Sequence, residues 1–520
     1  MPTFSSRPAP DHWVRCHWRL IASVFALGCS GTNATPGSGG ANGAAGSSQN
    51  GGNAGTAGGA ETGGTFAAGG IAATSGVGAG GTHPGTGGAP STGGATSPGT
   101  GGSKATGGMA ASGGAPGTGG TTAFGSVITN RYDNLRSSSN TKETVLNTSN
   151  VNEAQFGLRY SFTVDGQVYA QPLYLSNLKF ADGTTKNTLF AATEHNSVYA
   201  FDADGGSTTP IWSTNLGPSG STSGFGCSDM TPETGITSTP VIDTAAGIMY
   251  VVARGVEGGN WVMRLHALDI RTGQEGQGSP LPITATVSGI GAGNAGGKIT
   301  FNPQTQLNRP GLLLENGTVY LAFASLCDFG PYHGWILGYS YANGAFTQTH
   351  VFNVSPNGSD GGIWQSGVGL SSDGNSIYFA AGNGSTNPSS TPPDLSESIA
   401  RLSLTDLSIQ DFFTPTGYAA MNSGDSDLSS GAPLLPHNRI ITGTKGGIMY
   451  LLDSTNLGKY NAAGNKNLQT LTPPNGGVWG SPVDYQVPGG PEWVYVWPVN
   501  SPLIRYQWDP TTYLLRQSHA

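Results

Sequence analysis

Charge is scarce in this chain. Asp, Glu, Lys and Arg make up 10% of its 520 residues and sum to a net −8, where a soluble domain usually carries about a quarter. No basic stripe exists to neutralise phosphates, which argues against nucleic acid as a partner. Cysteine is scarcer still: there are four, with no C-x-x-C pair, so neither a structural zinc site nor a thioredoxin-type motif is supported. No G-x-S-x-G elbow and no H-E-x-x-H occurs, which ranks a hydrolase last among the readings. No long segment repeats its apolar residues every 3.6 positions, so helices are not expected. The apolar run Leu20–Leu27 is too short to span a bilayer.

What is abundant is glycine, 85 residues, with most of the excess over ordinary usage lying before Phe124. From Gly31 to about Thr122 the chain is Gly, Ala, Ser, Thr and Pro with almost no charge. Such a segment cannot bury enough apolar surface to offset its conformational entropy, and it is expected to be a disordered tether. Ahead of it, Arg7, His12, Arg15 and Arg19 form a positive n-region, and Ala26-Leu27-Gly28 places small residues before Cys29. This pattern resembles a bacterial lipoprotein signal, with cleavage before Cys29 and lipidation of its sulfur. An ordinary signal peptide with a chance cysteine is the other reading. Ser30 in the second mature position directs the expectation, by analogy, to the outer membrane or cell surface. The domain plan is therefore a signal at 1–28, a linker at 29–123 and a folded part at 124–520.

In the folded part, runs of four to seven Val, Ile, Leu, Tyr, Phe and Trp alternate with Gly, Asn, Asp and Pro. This predicts an all-β fold. The stretch Thr193–Asp204, TEHNSVYAFDAD, gives the unit: a strand, a polar knot, a second strand ending in Asp202, an acidic glycine turn, then Trp212. Weakened copies recur. Each opens on a small-polar-Pro-apolar step at Pro172, Pro240, Pro310, Pro433 and Pro482, with Gly367 standing for Pro in the fourth. Six units spaced by about 50–70 residues predict a β-propeller of four-stranded blades. Leu158–Val164 reads as an extra strand preceding the first unit, of the kind that completes a last blade. Because the sixth unit has its own fourth strand at Tyr513–Arg516, the ring is expected to be one blade short, with about seven or eight blades in the complete ring.

In such a blade the loop between strands two and three and the loop to the next blade lie on one face. The polar exceptions map there: Glu194, His195, Glu233, Arg309, Asp328, His333, Trp364, Gln365, Asn383, Asp427, Lys445 and Trp479. A concave mouth carrying them is the default binding site. Each also has a plainer reading: Glu194 satisfying turn donors, Arg309 in an inter-blade ion pair, Trp364 and Trp479 wedging blades. Cys227 and Cys327 fall in loops of the same face, and in an oxidising compartment they are expected to pair.

Ala200-Phe201-Asp202 with Trp212, and His266-Ala267-Leu268-Asp269 with Thr272-Gly273, resemble blades of the quinoprotein alcohol dehydrogenase-like propellers, the pyrroloquinoline-quinone (PQQ) repeat type. The strings ITSTPVID, RPGLLLENGTVYLAFAS, GPYHGW and GGIWQSG are similar to a bacterial extracytoplasmic lipoprotein subgroup of it. The resemblance covers roughly Tyr160 to the end and implies the propeller fold. Two functions are weighed. One, read from the tether, the ring and the polar rim, is a membrane-anchored binding or interaction module with an unknown protein or small-molecule ligand. The other is a PQQ- and Ca²⁺-dependent dehydrogenase of an alcohol or sugar, recruiting Trp364, Asn383, Glu233 and Asp427. Against the second, the vicinal cysteines that line the cofactor in well-known members are missing. So is a C-x-x-C-H haem motif. The sequence reading favours the binding module.

Overall fold

The computed structural model describes residues 125–143, 145–223, 225, 228–428, 430–473 and 476–518. The signal-like segment, the glycine-rich linker, Cys29 and Cys227 lie outside the described residues. What is described is almost wholly β, with one short helix, Tyr418–Ser423, and one 3₁₀ turn, Gln365–Gly367.

Six antiparallel sheets of four or five strands follow one another along the described residues, with two two-stranded ribbons between them. Blade 1 runs Leu173–Lys179, Thr185–Ala192, Ser197–Asp202 and Trp212–Asn215, each strand bonded to the next. Blades 2, 4, 5 and 6 repeat that order from Val241, Ser371, Leu434 and Val483. Blade 3 carries an extra inner piece, because both Gln306–Leu307 and Leu313–Glu315 pair with Thr318–Ser325. The alternation seen in the sequence sets the packing. In the third strand of blade 1, Val198 and Ala200 point into a core shared with Ile242, Met249 and Val251 of blade 2, while Phe201 points the other way. The strand-closing Asp202, Asp269 and Asp453 accept backbone N–H groups of their following turns, as expected of Asp in that position.

Apolar cores join blade 1 to 2, 2 to 3, 3 to 4, 4 to 5 and 5 to 6. Among the described residues no such core joins blade 6 to blade 1. Successive wedge-like sheets with a core between each neighbouring pair make this a β-propeller.

Three departures from the sequence reading are instructive. Leu158–Val164 is not a strand. It lies extended on the outward face of blade 1, with Phe162 stacked on Phe201 at 4.6 Å and Tyr160 against Gly205. It is held by side chains, with no ladder partner. The central hairpin of blade 2 is longer than expected, Ile248–Glu257 with Asn260–Asp269. Its turn, Gly258-Gly259, has two positive φ values, 57° and 84°, the twist a two-residue hairpin turn needs. Finally, residues 127–138 cross the inner edges of the blades, a path that no periodicity announced.

Candidate functional site

The topology places the loops between second and third strands, and those between blades, at one end of the ring. The chain of contacts there begins at Glu194. Its Oε2 accepts the Gly235 N–H at 2.6 Å and the Thr237 hydroxyl at 3.2 Å, and Oε1 has no partner. Burial pushes this carboxyl up to about 7, against the pull of those donors. The adjacent His195 turns outward instead, as successive residues of a strand end must. Its Nδ1 lies 3.0 Å from Glu233, which also accepts the Ser219 hydroxyl. His195 and Glu233 thus form an exposed pair of their own, bridging the first two blades.

Arg309 occupies the middle. Its guanidinium stacks over Trp364 at 5.2 Å. Among the described residues it has no carboxylate within ion-pair distance. Burial lowers its pKa, and the more distant Asp229, Asp328 and Glu194 oppose that shift. Tyr332 meets Trp364 edge-on at 6.1 Å and donates to Asp328 at 3.1 Å. The backbone of Gly382 fills the narrow step between Trp364 and Asp427, where a Cβ would strike both.

Beyond that step sits a charged cluster. Lys445 Nζ lies 2.8 Å from Asp427 and 2.5 Å from Asp425, and 5.7 Å over the ring of Trp479. Asn383 donates to Asp425 at 2.7 Å and leaves its buried Oδ1 unpartnered. Asp427 is fully buried, and burial raises its pKa although Lys445 pulls it down. The Lys445 ammonium is the charge partner of its Oδ1.

One group here escaped the sequence reading. Glu397 is fully buried, with no partner on either oxygen. Burial first, and repulsion from Asp427 second, push it up to about 8. It lies in a serine-rich loop with no motif around it. Only the packing of that loop against the Asp427–Lys445 pair makes it unusual.

Two sequence candidates are committed to structure. Gln365 is buried, with Nε2 donating to the Val368 and Gly369 carbonyls and Oε1 accepting the Ala380 N–H. His333 donates from Nε2 to the Ala292 carbonyl at 2.8 Å and contacts Ser355 through Nδ1, and burial lowers its pKa. Cys327 is disulfide-bonded. It sits beside Met230, Leu307, Leu326 and Phe225 in a small apolar cluster under this end of the ring.

The fold and site together define a β-propeller with a polar, tryptophan-walled mouth. No protein-family model and no curated protein matches the chain. Among solved structures, it is similar to the quinohemoprotein alcohol dehydrogenase ADHIIG of Pseudomonas putida HK5, at 16% identity and a TM-score of 0.46, over 76% of this chain and 61% of that one. It is also similar to the quinohemoprotein alcohol dehydrogenase of Comamonas testosteroni, at 16% identity and a TM-score of 0.46, over 76% of this chain and 67% of the other. This chain therefore spans less than two thirds of the first. A likeness of that degree concerns architecture and says nothing of activity.

Proposed function

We propose that this protein is a lipid-tethered, extracytoplasmic binding propeller whose mouth takes a planar, anionic ligand against the Arg309–Trp364 pair. One observation carries the reading: a part-buried guanidinium laid on an indole face, with no carboxylate paired to it among the described residues. Arginine in that setting offers its donor fork to an oxyanion while the ring supplies a flat wall. The signal-like N terminus, the glycine-rich linker and Cys29 support the tethering half of the proposal. Partition of the mature protein into detergent, lost in Cys29→Ser, tests it.

A second reading, a PQQ- and Ca²⁺-dependent dehydrogenase, is favoured by the unpartnered oxygens of Asn383 and Glu397 near the Asp427 carboxylate. Hard oxygen donors of this kind suit Ca²⁺. The fit is partial. Of the residues recruited for this reading, Trp364, Asn383 and Asp427 converge, whereas Glu233 is held with His195. Among the described residues no three His, Cys, Asp or Glu are arranged to hold a metal. A bound quinone would supply a two-electron acceptor. The chain's own part would be to wall it with Trp364, to hold its acidic edge with Arg309 and Lys445, and to offer Asp427 as a proton acceptor.

PQQ is itself a planar tricarboxylate and separates the readings. Titration of the purified protein, with and without Ca²⁺, followed by dye reduction with alcohols and sugars, is the experiment. Uptake without turnover supports the binding module; Ca²⁺-dependent uptake with turnover supports the enzyme. In either case Arg309→Met is expected to weaken uptake by about 10–100-fold, the worth of one charge-assisted contact. No uptake by the wild type, or uptake unchanged in Arg309→Met and Trp364→Ala, overturns the proposed clamp.

A further inference from the structure

Residues 127–138 belong to no blade, yet they touch five of the six. Val127 exchanges backbone hydrogen bonds of 2.7 and 2.9 Å with Tyr174 of blade 1, and the Ile128 carbonyl accepts the Ile242 N–H of blade 2 at 2.9 Å. Asn134 Nδ2 donates to the Leu314 carbonyl of blade 3 at 2.8 Å. The carbonyls of Asn134 and Leu135 accept the N–H groups of Ser372 in blade 4 and Leu434 in blade 5, at 2.7 and 2.9 Å. These partners lie on innermost strands, whose free edges line the centre of a propeller. The segment is thus a strap laid along the inner edges of blades 1 to 5.

At the mouth end of the strap is Asn130, which is buried. Its Nδ2 lies 3.3 Å from the Thr239 hydroxyl and 3.4 Å from Gln171 Oε1, and its Oδ1 accepts the Gly369 N–H at 3.1 Å. Gly311, two residues after Arg309, packs so tightly on it that a Cβ would come within 2.7 Å of the Asn130 Cβ. The Gly311 N–H also donates to the Gly367 carbonyl at 3.1 Å. That carbonyl ends a run of three left-handed residues, Gln365, Ser366 and Gly367, directly after Trp364. The Asn130 side chain therefore meets both turns, by a hydrogen bond at Gly369 after Trp364 and by packing at Gly311 after Arg309.

We infer that the strap is the floor of the ligand site and that Asn130 is a positioning residue, fixing the spacing of the Arg309–Trp364 clamp without touching the ligand. This rests on the reading of that pair as the clamp. The test uses the whole mature chain with Asn130→Ala and Asn130→Asp. Two quantities are measured: amide hydrogen exchange across 308–311, 365–369 and, as a reference, 449–453 in blade 5; and the Kd for PQQ. In Asn130→Ala, exchange at the first two segments is expected to rise about tenfold with the reference unchanged, and PQQ affinity to fall about tenfold. Asn130→Asp keeps the acceptor for Gly369 and loses only the donor to Thr239 and Gln171, so it should restore protection at 365–369. Exchange unchanged at both turns, or raised equally in all three segments, overturns the inference. If the wild type takes up no PQQ, the clamp has failed, and the exchange pattern still decides the role of Asn130.

Discussion

Arg136→Ala is expected to lower the unfolding free energy by about 3–5 kcal/mol. Arg136 is fully buried in the strap. Its guanidinium donates to the Leu370 carbonyl at 2.9 Å, the Leu312 carbonyl at 3.1 Å, the Asn130 carbonyl at 2.7 Å and the Thr129 hydroxyl at 2.8 Å. Burial lowers its pKa to about 10, with Asp133 and Glu315 opposing the shift, so the group is still charged at neutral pH. Each bond from a charged donor is worth about 1.5–3 kcal/mol, and deletion leaves buried carbonyls of blades 3 and 4 without partners. Gly369 packs against the guanidinium, at 2.6 Å from where its Cβ would be, so the space cannot be refilled cheaply. Urea denaturation at pH 7 reads the loss, with the exposed Arg159→Ala as a control expected within about 0.5 kcal/mol of wild type. A loss under 1 kcal/mol for Arg136→Ala would mean that the strap does not hold the blades together.

Glu397→Gln is expected to stabilise the protein at pH 8 and to leave it unchanged near pH 4.5. The folded state raises this carboxyl from 4.5 to about 8, chiefly by burial. A raised folded-state pKa means that the unfolded chain ionises first. The wild type's advantage is therefore complete below about pH 4.5 and declines as pH climbs to about 8. At about 1.4 kcal/mol per unit, the full decline is on the order of 3–5 kcal/mol. Glutamine keeps the shape and cannot ionise, so the gap between variant and wild type should widen steadily across that window. Glu194, pushed up to about 7, adds a slope of the same sign that persists in the variant. Stability curves at half-unit pH steps measure this; a gap that stays constant from pH 5 to 8 would mean that the Glu397 carboxyl is not held neutral. The same proton competes with any cation drawn to the unpartnered oxygens of Glu397. Ca²⁺-dependent PQQ uptake, if it occurs, should therefore strengthen between pH 6 and 8.

The candidate site was partly legible. Trp364, Arg309, Asp427, Asn383 and Lys445 stood out as polar or aromatic interruptions between strands, and up-and-down topology assigns such loops to one end. Their sorting was not legible. Gln365 and His333 carry the same kind of side chain in the same kind of loop, yet backbone carbonyls and amides consume them. Glu397 carries nothing distinctive and became unusual only because a neighbouring loop covers it. Hydrogen-bond satisfaction depends on which backbone groups arrive from other blades, and spacing along one chain does not encode that.

By itself the sequence determined the blade. A strand period of two, Asp at strand ends and glycine at the turns are local preferences, and each blade forms largely from contacts within about 50 residues. The ring's interior was decided by tertiary structure alone. A twelve-residue strap of mixed polarity has no periodicity of its own. It takes its path from five rows of unpaired backbone groups contributed by strands as far away as Leu434. Such groups must find partners once water is excluded, so the strap's conformation is dictated by the edges it satisfies.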